Sequence, residues 1–404
     1  MQISQPLRMA LGGLFFQYPF QGVGRYTQRL YERFSAMQEL QLTAIACEPL
    51  GERGHTGRPA GMVLAPRAPV TLGARVPERF FPFWQRCYWE QVGLPLALQR
   101  LRPDVLFMPH HALPLVLPCP SVVTIHDLIP LQEPLYGGTA AGRLYFRLLC
   151  RSARLATAIV TDSAASQRSV VLQLGIPASR VHVIPLGVEP RFHARPDPEG
   201  DAAARGRLEL PERYLVYVGG ADVRKNIGVL LGAMALLRQR GELGDAAPGV
   251  PTLVVAAPSQ HIGLPALYPD WRGQARELGL GDAVRFVDRI AEADLPAVYR
   301  GAVAFCFPSR LEGFGLTPLE AMACGAPVLC SDQSSLPEVV GDAGILLPPD
   351  EPAAWADAIA RVAGDDQLRR TLSAAGVSRA AAFTWERTAQ ATLAVIRSVA
   401  RGPG

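Results

Sequence analysis

The stretch that decides the fold is Pro308-Ser309-Arg310-Leu311-Glu312-Gly313-Phe314-Gly315-Leu316-Thr317-Pro318-Leu319-Glu320-Ala321-Met322-Ala323-Cys324-Gly325. It follows an apolar run typical of a strand, Ala302 to Phe307, and turns through two glycines. Thr317-Pro318-Leu319-Glu320 has the form of a capping box with Thr317 as the N-cap, and Gly325 predicts the end of the helix after about two turns. A glycine loop that leads into a helix N-terminus at the carboxyl end of a strand is suited to binding a phosphate.

Two glutamates, Glu312 and Glu320, bracket this loop with seven residues between them. A carboxylate beside a phosphate repels it unless the carboxylate accepts hydrogen bonds from hydroxyl groups, so a sugar is the expected neighbour. In the alternative interpretation, Glu320 only caps its helix and Gly313 and Gly315 only form a tight turn. That alternative leaves Glu312 unexplained.

The segment resembles the Glu-x7-Glu signature of the retaining glycosyltransferases of family 4, and the match extends over E-G-F-G-L-T-P-L-E-A-M-A-C-G-A-P-V. The resemblance runs from about Gly22 to about Pro348. It implies an α/β protein with the GT-B fold, in which two Rossmann-like domains with parallel sheets face a cleft. It also implies that Glu320 binds ribose hydroxyls, that Glu312 and the amides of Gly313, Phe314 and Gly315 hold the sugar, and that Leu316 and Thr317 face the phosphate.

Composition agrees with two α/β domains, because the 404 residues are 49% hydrophobic and 19% charged. The net charge of +4 is too small to indicate nucleic-acid binding and is compatible with anionic small ligands or an anionic membrane. Seven scattered cysteines without a C-x-x-C pair favour a reducing compartment. With no secretory signal and no apolar stretch of about 20 residues, we expect a cytoplasmic protein, with the inner face of the membrane as a further location.

Apolar runs alternate with helical patterns along the chain, which predicts parallel sheets built from βαβ units. We expect an N-terminal acceptor domain (residues 1–188) and a C-terminal donor domain (189–384), with a Pro- and Gly-rich linker from Gly187 to Arg213 between the two sets of strands. By resemblance, a C-terminal helix (385–404) returns to the first domain. The predicted strands are Arg8–Leu14, Leu42–Cys47, Asp104–Met108, Ser121–Ile125, Ala158–Thr161, Val181–Ile184, Tyr214–Val218, Thr252–Ala256, Ala283–Val287, Ala302–Phe307, Val328–Ser331 and Gly344–Leu347.

A glycine motif, Gly22-Val23-Gly24-Arg25-Tyr26-Thr27, follows the first strand and opens a helix. Because Thr27 stands where a dinucleotide fingerprint has its third glycine, the motif argues against an NAD enzyme. A plain turn is the alternative to a binding loop. By resemblance, Gly22 and Gly24 lie in the loop that faces the donor diphosphate.

Thr124-Ile125-His126-Asp127 ends the fourth predicted strand of the first domain. A lone histidine is more often structural than catalytic, but the carboxyl end of a strand is where ligands of α/β sheets bind. By resemblance, His126 contacts the transferred sugar. Asp127 is predicted to orient the imidazole and to fix its tautomer.

Two cations, Arg224 and Lys225, follow the first strand of the second domain and are predicted to lie in the first turn of a helix. The helix dipole disfavours cations there, so their presence indicates a nearby anion such as the diphosphate of a nucleotide sugar. In relatives an arginine and a lysine five residues apart bind the diphosphate. Lys225 matches that lysine, Gly220 takes the arginine's position, and Arg224 is the expected substitute. Two solvated surface cations are the alternative.

A second basic group, Arg143, Arg147, Arg151 and Arg154, is predicted to form one helical stripe, and Arg75 to Gln91 combines arginines with aromatic residues. Both segments suit acidic lipid head groups or a lipid-diphosphate acceptor. A solvated helix face and a packed aromatic cluster are the alternative.

The resemblance therefore implies a retaining hexosyltransferase. We expect it to use no metal or other cofactor, since the sequence contains no Asp-x-Asp pair and no His/Cys cluster with metal-ligand spacing. His126, Glu312 and Lys225 are the predicted catalytic residues. The motif variants most resemble mannosyl- and rhamnosyltransferases of surface polysaccharides, lipopolysaccharide among them. We therefore expect a GDP-sugar such as GDP-mannose and a glycan or lipid-linked acceptor. A UDP-hexose donor, a GT-B epimerase or phosphorylase, and a non-catalytic nucleotide-sugar-binding scaffold are the alternatives.

Overall fold

A computed structural model describes residues 5–17, 22–46, 62–64, 86–137, 140–244, 249–258 and 266–401. The chain divides into two compact units, Met1–Leu186 together with Trp385–Gly404, and Gly187–Thr384. We call them unit 1 and unit 2. Each is built from one parallel sheet, with helices in most of the described connections between strands.

Unit 1 has a seven-stranded sheet in the order β3-β2-β1-β4-β5-β6-β7. Its centre is the fully buried pairing of β1 with β4, where Met9 lies beside Val105 and Leu11 beside Phe107. The chain leaves β1 toward one edge and returns at β4 on the other side, so the strand order reverses between these two strands. The strands of unit 1 are β1 (Leu7–Gly12), β2 (Leu40–Ala46), β3 (Met62–Leu64), β4 (Val105–Met108), β5 (Ser121–Thr124), β6 (Ala158–Thr161) and β7 (Val181–Val183).

Unit 2 repeats this plan with a six-stranded sheet in the order β10-β9-β8-β11-β12-β13. The reversal of strand order lies between β8 and β11, where Leu215 pairs with Ala304. The four inner strands are short, apolar and almost entirely buried, as parallel strands covered by helices must be, whereas the edge strands β10 and β13 are only partly buried. They are β8 (Leu215–Val218), β9 (Leu253–Ala256), β10 (Val284–Val287), β11 (Ala304–Phe307), β12 (Val328–Ser331) and β13 (Ile345–Leu347).

The helices supply the apolar faces that cover both sheets. They are α1 (Gly22–Ser35), α2 (Leu94–Leu101), α3 (Ile129–Gln132), α4 (Ala140–Ala153), α5 (Ala164–Leu174), α6 (Pro198–Arg207), α7 (Ile227–Gln239), α8 (Trp271–Glu277), α9 (Leu295–Gly301), α10 (Leu316–Ala323), α11 (Leu336–Val340), α12 (Pro352–Gly364), α13 (Asp366–Ala380) and α14 (Trp385–Ala400). Within the described residues, no helix is both long and apolar enough to span a bilayer.

The last helix, α14, is held by unit 1. Thr388 donates a hydrogen bond of 2.8 Å to the carbonyl of Pro185, and Glu386 pairs with Arg33 of α1 at 2.7 Å. The ring of Trp385 lies 6.2 Å from that of Tyr26. These contacts use both polar and apolar faces of the helix, so the chain's final segment is part of the core of unit 1.

Two sequence predictions about the fold were wrong in detail. The supposed linker contains α6, which begins at an Asp197 cap whose carboxylate accepts a hydrogen bond from the amide of Gly200 at 3.2 Å. Arg300 of α9 pairs with Asp201 of α6 at 2.5 Å, so this segment packs into unit 2. In unit 1, the three-residue strand β3 was missed because so short a run gives no measurable periodicity.

Candidate active site

The glycine loop after β11 turns into α10 at Gly315, whose φ of 119° is a conformation that side chains rarely adopt. A Cβ at this position would also lie 3.0 Å from Leu336. The helix begins at Leu316, so the predicted capping box is wrong. Thr317 and Pro318 lie within the first turn, and Gly315 is the N-cap without any side-chain cap.

Helix α10 ends at the position that the sequence predicts. The amide of Gly325 donates to the carbonyl of Met322 and that of Ala326 donates to Ala321, which is a Schellman motif closed by Gly325 at φ 80°. The helix therefore has only eight residues. Its first turn, with Leu316 and Thr317, follows the loop at the carboxyl end of β11, and its leading amides have no intrahelical partner.

The carboxylate of Glu312 is the centre of a compact charged cluster. Its Oε1 lies 2.6 Å from Nζ of Lys225 and 2.9 Å from Nη1 of Arg224. The hydroxyl of Ser309 donates to the same oxygen at 2.5 Å. Glu312, Lys225 and Arg224 each expose 13% of the side chain, so this cluster is largely shielded from water.

Charge balance sets the ionisation of this cluster. Burial alone would raise the pKa of Glu312, but the positive charges of Lys225 and Arg224 and the hydrogen bonds from Lys225 and Ser309 outweigh burial and lower it. The carboxylate is therefore charged at neutral pH. Lys225 also lies 5.0 Å from the centre of the Phe307 ring, a cation–π contact that fixes its direction.

Two serines that the sequence analysis missed hold the backbone of the loop. Ser334 accepts a hydrogen bond from the amide of Glu312 at 3.1 Å and donates to its carbonyl at 2.7 Å. Ser335 donates to the carbonyl of Phe314 at 2.7 Å. Ser334 has a φ of 61°, which is strained for a residue other than glycine, and strain of this kind concentrates at functional sites.

The cations reach Glu312 from the loop after β8. They lie in a 3-10 turn, Val223–Lys225, and not in the first turn of a helix as predicted, because α7 begins only at Ile227. Asn226 separates the two elements in a left-handed conformation, φ 57°, and its buried amide donates to the carbonyl of Pro349 at 2.6 Å. The turn therefore points both cations toward the next loop of the sheet.

Arg224 is more heavily engaged than Lys225. It hydrogen-bonds the carbonyl of Leu311 and lies 3.5 Å from Asp222, in addition to its contact with Glu312. Asp222 was not singled out in the sequence, although a carboxylate two residues before an arginine is a usable signal. Arg224 thus stabilises the loop as well as supplying charge, and Lys225 is the better candidate for binding a phosphate.

The remaining residues of the Glu312–Glu320 motif lie in the glycine loop and on α10. Glu320 is 6% exposed on α10, and Phe314 packs edge-on against Phe383 with ring centres 6.0 Å apart. Gly313 is in the loop between Glu312 and Phe314. Their predicted contacts with ribose and sugar stay predictions.

In unit 1, the glycine motif is the N-terminus of α1, which begins at Gly22. Gly22 is exposed and Gly24 is buried. The residue of this motif that contacts a predicted catalytic residue is Tyr26, whose ring packs edge-on against His126 at 4.8 Å and whose hydroxyl lies 3.0 Å from that of Thr124. The donor-binding role of the glycines stays a prediction.

His126 lies just beyond β5 with both ring nitrogens engaged. Nδ1 lies 2.6 Å from Oδ2 of Asp162, and Nε2 lies 3.1 Å from the carbonyl of Pro109. The carboxylate that orients the ring is therefore Asp162, and the prediction of Asp127 was wrong. Asp127 instead accepts a hydrogen bond from the amide of Ile129 at 3.0 Å.

Two acceptors flanking one imidazole favour its doubly protonated form. Burial lowers the pKa of His126, but the charge and hydrogen bond of Asp162 and the carbonyl of Pro109 raise it by a larger amount. The net shift of the pKa is upward. The backbone carbonyl of His126 also accepts a hydrogen bond of 2.8 Å from Ser166. His126 is thus held through both ring nitrogens, with a raised pKa. Its contact with a sugar stays a prediction.

The charged cluster of unit 2 lies where ligands of such sheets bind. Lys225 follows β8 and Glu312 follows β11, the two strands between which the order reverses. Ligands of open α/β sheets bind outside the carboxyl ends of the strands at this switch point. The strand order, the charge cluster and the helix N-terminus therefore indicate the same site.

Comparison with known proteins identifies the family. The model for glycosyltransferase family 4 matches residues 20–192, and the model for glycosyl transferases group 1 matches residues 202–379. The chain belongs to glycosyltransferase family 4. The GT-B fold and the family that the Glu312–Glu320 segment predicts are thereby confirmed.

Individual relatives of this glycosyltransferase cover the chain to different extents. O-antigen chain mannosyltransferase B of Escherichia coli is 29% identical over 398 residues, 93% of this chain and 96% of that protein. D-inositol 3-phosphate glycosyltransferase of Kribbella flavida is 36% identical over 244 residues, 59% of this chain and 55% of that protein, so this match spans about half of its length. The structure of HepE of Anabaena in complex with UDP and glucose has a TM-score of 0.70 at 17% identity and covers 97% of this chain and 100% of that one. At this identity the likeness shows the fold alone.

Proposed function

We propose that this glycosyltransferase moves a hexose from a nucleotide diphosphate donor to a saccharide acceptor in polysaccharide synthesis, with retention of the anomeric configuration and without a metal ion. The observation that carries the proposal is the cluster of Lys225, Arg224 and Glu312 at the switch point of unit 2. Two cations beside a helix N-terminus suit a diphosphate, and a charged carboxylate suits sugar hydroxyls.

In this proposal each charge of the cluster has its own partner on the donor. The diphosphate replaces Glu312 as the counter-ion of Lys225, aided by the amides at the start of α10. Glu312, released from that ion pair, accepts hydrogen bonds from the transferred sugar, and Glu320 accepts them from the ribose. Stabilising the leaving diphosphate in this way is the main catalytic contribution, and the acceptor hydroxyl attacks from the face that the diphosphate leaves.

GDP-mannose or a close derivative is the donor we favour. The mannosyltransferase of Escherichia coli matches nearly the whole chain, which supports this choice. A UDP-hexose is the second candidate, because HepE was solved with UDP and shares the fold. An epimerase would release UDP without an acceptor, and a scaffold would bind nucleotide without turnover, so both alternatives are distinguished by the products formed.

The test begins with thermal unfolding in the presence of GDP, UDP, ADP or dTDP. A ligand at 100 times its dissociation constant adds about 2.7 kcal/mol, which is a shift of about 5–11 °C for a domain of this size. We expect the largest shift with GDP, and NMR of the transferred sugar should show the donor's anomeric configuration. The absence of any nucleotide shift would contradict the donor site, and an inverted product would contradict retention.

We also propose that unit 1 associates loosely with anionic membranes through α4. Leu144 and Leu148 expose 59% and 55% of their surface, and the exposed Arg147 and Arg151 alternate with them. Arg154 is not a free member of this stripe, because it donates to the carbonyl of Leu174 at 2.7 Å. Apolar side chains flanked by arginines suit the interface of an anionic bilayer.

Vesicle sedimentation tests the membrane proposal. Each cation near an anionic surface contributes about 1 kcal/mol, so Arg147→Glu combined with Arg151→Glu should abolish binding to phosphatidylglycerol vesicles. High salt should weaken the binding of the wild type, and phosphatidylcholine vesicles should bind little. Equal sedimentation with both lipids would contradict the proposal.

A further inference from the structure

Unit 1 contains a cavity between helices, which we call the α4–α5 cavity. It has a volume of about 430 Å³ and lies between α3, α4 and the end of α5. Three arginines line it: Arg147 and Arg151 on α4, and Arg154 just after that helix. Among the described residues that line the cavity, none is acidic. A cavity with three positive charges and no carboxylate is suited to an anion.

The two arginines of α4 carry charges that the described part of the protein does not balance. Neither guanidinium of Arg147 and Arg151 forms an ion pair or a hydrogen bond with any described residue. The two side chains are one turn apart on the same face of the helix, where like charges repel each other. The dipole of α4 favours Arg151 in the last turn, but this effect falls off before Arg147. An anion in the cavity would remove the repulsion.

Arg154 places a fixed guanidinium at the wall of the cavity. Its Nε donates to the carbonyl of Leu174, the last residue of α5, at 2.7 Å. Its own carbonyl accepts a hydrogen bond from Nη2 of Arg180 at 3.0 Å. The two terminal nitrogens of Arg154 have no hydrogen-bond partner within the described ranges. Because one nitrogen anchors the group, the other two can bind an oxyanion with little further loss of side-chain entropy.

The remaining walls of the cavity are largely aliphatic. Leu131 of α3, Leu148 of α4 and Leu174 of α5 line it. Gln132, beside Leu131, donates to the hydroxyl of Ser169 at 2.7 Å and so fixes α3 against α5. The described lining residues include no aromatic ring to stack on a nucleobase and no carboxylate to accept hydrogen bonds from sugar hydroxyls. The walls therefore suit a hydrocarbon.

Exposed leucines lie next to the lining residues. Leu148 exposes 55% of its surface, Leu155 exposes 49% and Leu172 exposes 81%. Leu155 follows Arg154 in the chain, and Leu172 precedes the lining residue Gln173. Leucines exposed singly are common, but three of them beside one cationic cavity indicate contact with an apolar phase.

The cavity lies away from the edge of the sheet that carries the predicted substrate-binding residues of unit 1. Arg154 comes just before β6, which begins at Ala158, and Leu174 comes before β7, which begins at Val181. The arginines are therefore near the amino ends of these strands. His126, in contrast, follows the carboxyl end of β5, where ligands of α/β sheets bind. The cavity is therefore a candidate site for a ligand other than the two substrates of transfer.

We propose that the α4–α5 cavity binds one molecule of an anionic phospholipid. The three arginines of the cavity surround the phosphate and donate charge-assisted hydrogen bonds to its oxygens. The three leucines of its walls contact the glycerol backbone and the first carbons of the acyl chains. This site deepens the membrane association of α4 proposed above and rests on it for the source of the lipid. It fixes the orientation of unit 1 on a bilayer, which a salt-screened attraction between arginines and a charged surface does not.

The test uses phospholipids that form no bilayer. Dihexanoylphosphatidylglycerol is titrated into the full-length protein below its critical micelle concentration, and isothermal titration calorimetry measures the affinity and the stoichiometry. We expect one molecule to bind per chain, and the absence of binding would overturn the proposal. Two matched probes separate charge from hydrocarbon.

The first matched probe is dihexanoylphosphatidylcholine, which has the same acyl chains and no net charge. The second is inorganic phosphate, which has the charge and no chains. Each should bind at least about tenfold more weakly than dihexanoylphosphatidylglycerol. Equal binding of the phosphatidylcholine would overturn the role of the arginines, and equal binding of inorganic phosphate would overturn the assignment to a lipid.

Arg151→Gln is the main variant, because this exposed side chain has no partner among the described residues and the fold does not depend on it. It should weaken binding of dihexanoylphosphatidylglycerol about tenfold, as the loss of one charge-assisted hydrogen bond would. Arg143→Gln is the matched control, since it removes the same charge from an exposed position of α4 that does not line the cavity. The control should bind the lipid as the wild type does. Equal losses in the two variants would show a general charge effect and overturn the site.

Vesicle sedimentation separates this proposal from the membrane association on which it rests. A wild type that binds monomeric phosphatidylglycerol but does not sediment with phosphatidylglycerol vesicles would contradict the membrane association and support the cavity as a lipid-phosphate site. A wild type that sediments with the vesicles but binds no monomeric lipid would overturn the cavity proposal and leave the surface attraction of α4 in place.

Discussion

Replacing Glu312 with glutamine should have opposite effects on nucleotide binding and on turnover. The carboxylate lies 2.6 Å from Lys225 and 2.9 Å from Arg224, and all three side chains are 13% exposed. Glu312→Gln keeps the size of the side chain and removes the negative charge. Lys225 then loses its carboxylate partner, and Arg224 keeps only Asp222, at 3.5 Å.

The size of the effect follows from the burial of the cluster. Removing one partner of a buried ion pair costs about 3–5 kcal/mol, and the partial exposure of this cluster favours the lower end. A loss of about 3 kcal/mol lowers the melting temperature of a domain of this size by about 6–12 °C. A nucleotide diphosphate supplies the missing negative charge, so we expect GDP to bind the variant at least about tenfold more tightly than the wild type.

Turnover should fall in the same variant, because Glu312 no longer offers a charged acceptor to the transferred sugar. The loss of a charge-assisted hydrogen bond costs about 1.5–3 kcal/mol, which slows transfer by about tenfold to a few hundredfold. Thermal unfolding with and without GDP, isothermal titration and a transfer assay measure the three effects.

Ser309→Ala is the matched control, since it removes the 2.5 Å hydrogen bond to the same carboxylate oxygen and leaves every charge in place. It should change nucleotide affinity little. If Glu312→Gln weakens GDP binding as much as it slows turnover, the carboxylate contacts the nucleotide and the assignment to the sugar is wrong. An unchanged melting temperature would show that the ion pairs do not stabilise unit 2.

The difference in stability between the wild type and Glu312→Gln should depend on pH in one direction. The pKa of Glu312 is lowered in the folded protein, so its stabilising effect is present above its usual pKa of about 4.3 and is lost as the pH falls through the lowered value. The stability difference between the wild type and Glu312→Gln should therefore be constant near neutral pH and vanish in acid. A difference that grows in acid would contradict the ionised state of the carboxylate.

Three further predictions address the remaining site residues. Lys225→Ala should lower turnover about a hundredfold or more and leave the protein folded. Wild-type activity should survive EDTA, and activity that EDTA abolishes and magnesium restores would contradict the metal-free mechanism. Glu320→Gln should weaken donor binding while the melting temperature hardly moves, because α10 takes no side-chain cap from this residue; the reverse result would make Glu320 structural. Asp162→Asn should destabilise unit 1 most below about pH 6.5, since the pKa of His126 is raised and the stabilisation is lost as the pH rises through that raised value. Denaturant unfolding at several pH values measures the stability difference between the variant and the wild type. A difference that widens in alkali would exclude a charged His126.

The fold could be predicted from the sequence because parallel strands buried on both faces leave a strong local pattern. Every predicted strand is present to within a few residues. Among the described residues, the three-residue β3 is the one strand that was missed. The predicted end of α10 was correct because Gly325 determines it locally. The predicted start was wrong because Thr317 and Glu320 fit a capping box in sequence, whereas the loop turns at Gly315, the N-cap, and the helix begins at Leu316.

Partners that lie far apart in the sequence could not be predicted. Asp127 is adjacent to His126, yet the orienting carboxylate is Asp162, which the sheet brings into place from the loop after β6. The ion pair of Lys225 with Glu312 joins residues 87 positions apart. Each partner was identified as functional from its own motif, but their direct contact depends on the pairing of β8 with β11.

The sequence marks a donor site and no acceptor site because the two ligands require different chemistry. A diphosphate needs cations, backbone amides and glycines close to the chain, so few residue combinations serve and the Glu312 loop has a recognisable form. A saccharide acceptor needs only matched donors and acceptors, which many residue types can supply. The recognisable motif therefore predicts that the protein transfers a sugar and does not predict which acceptor receives it.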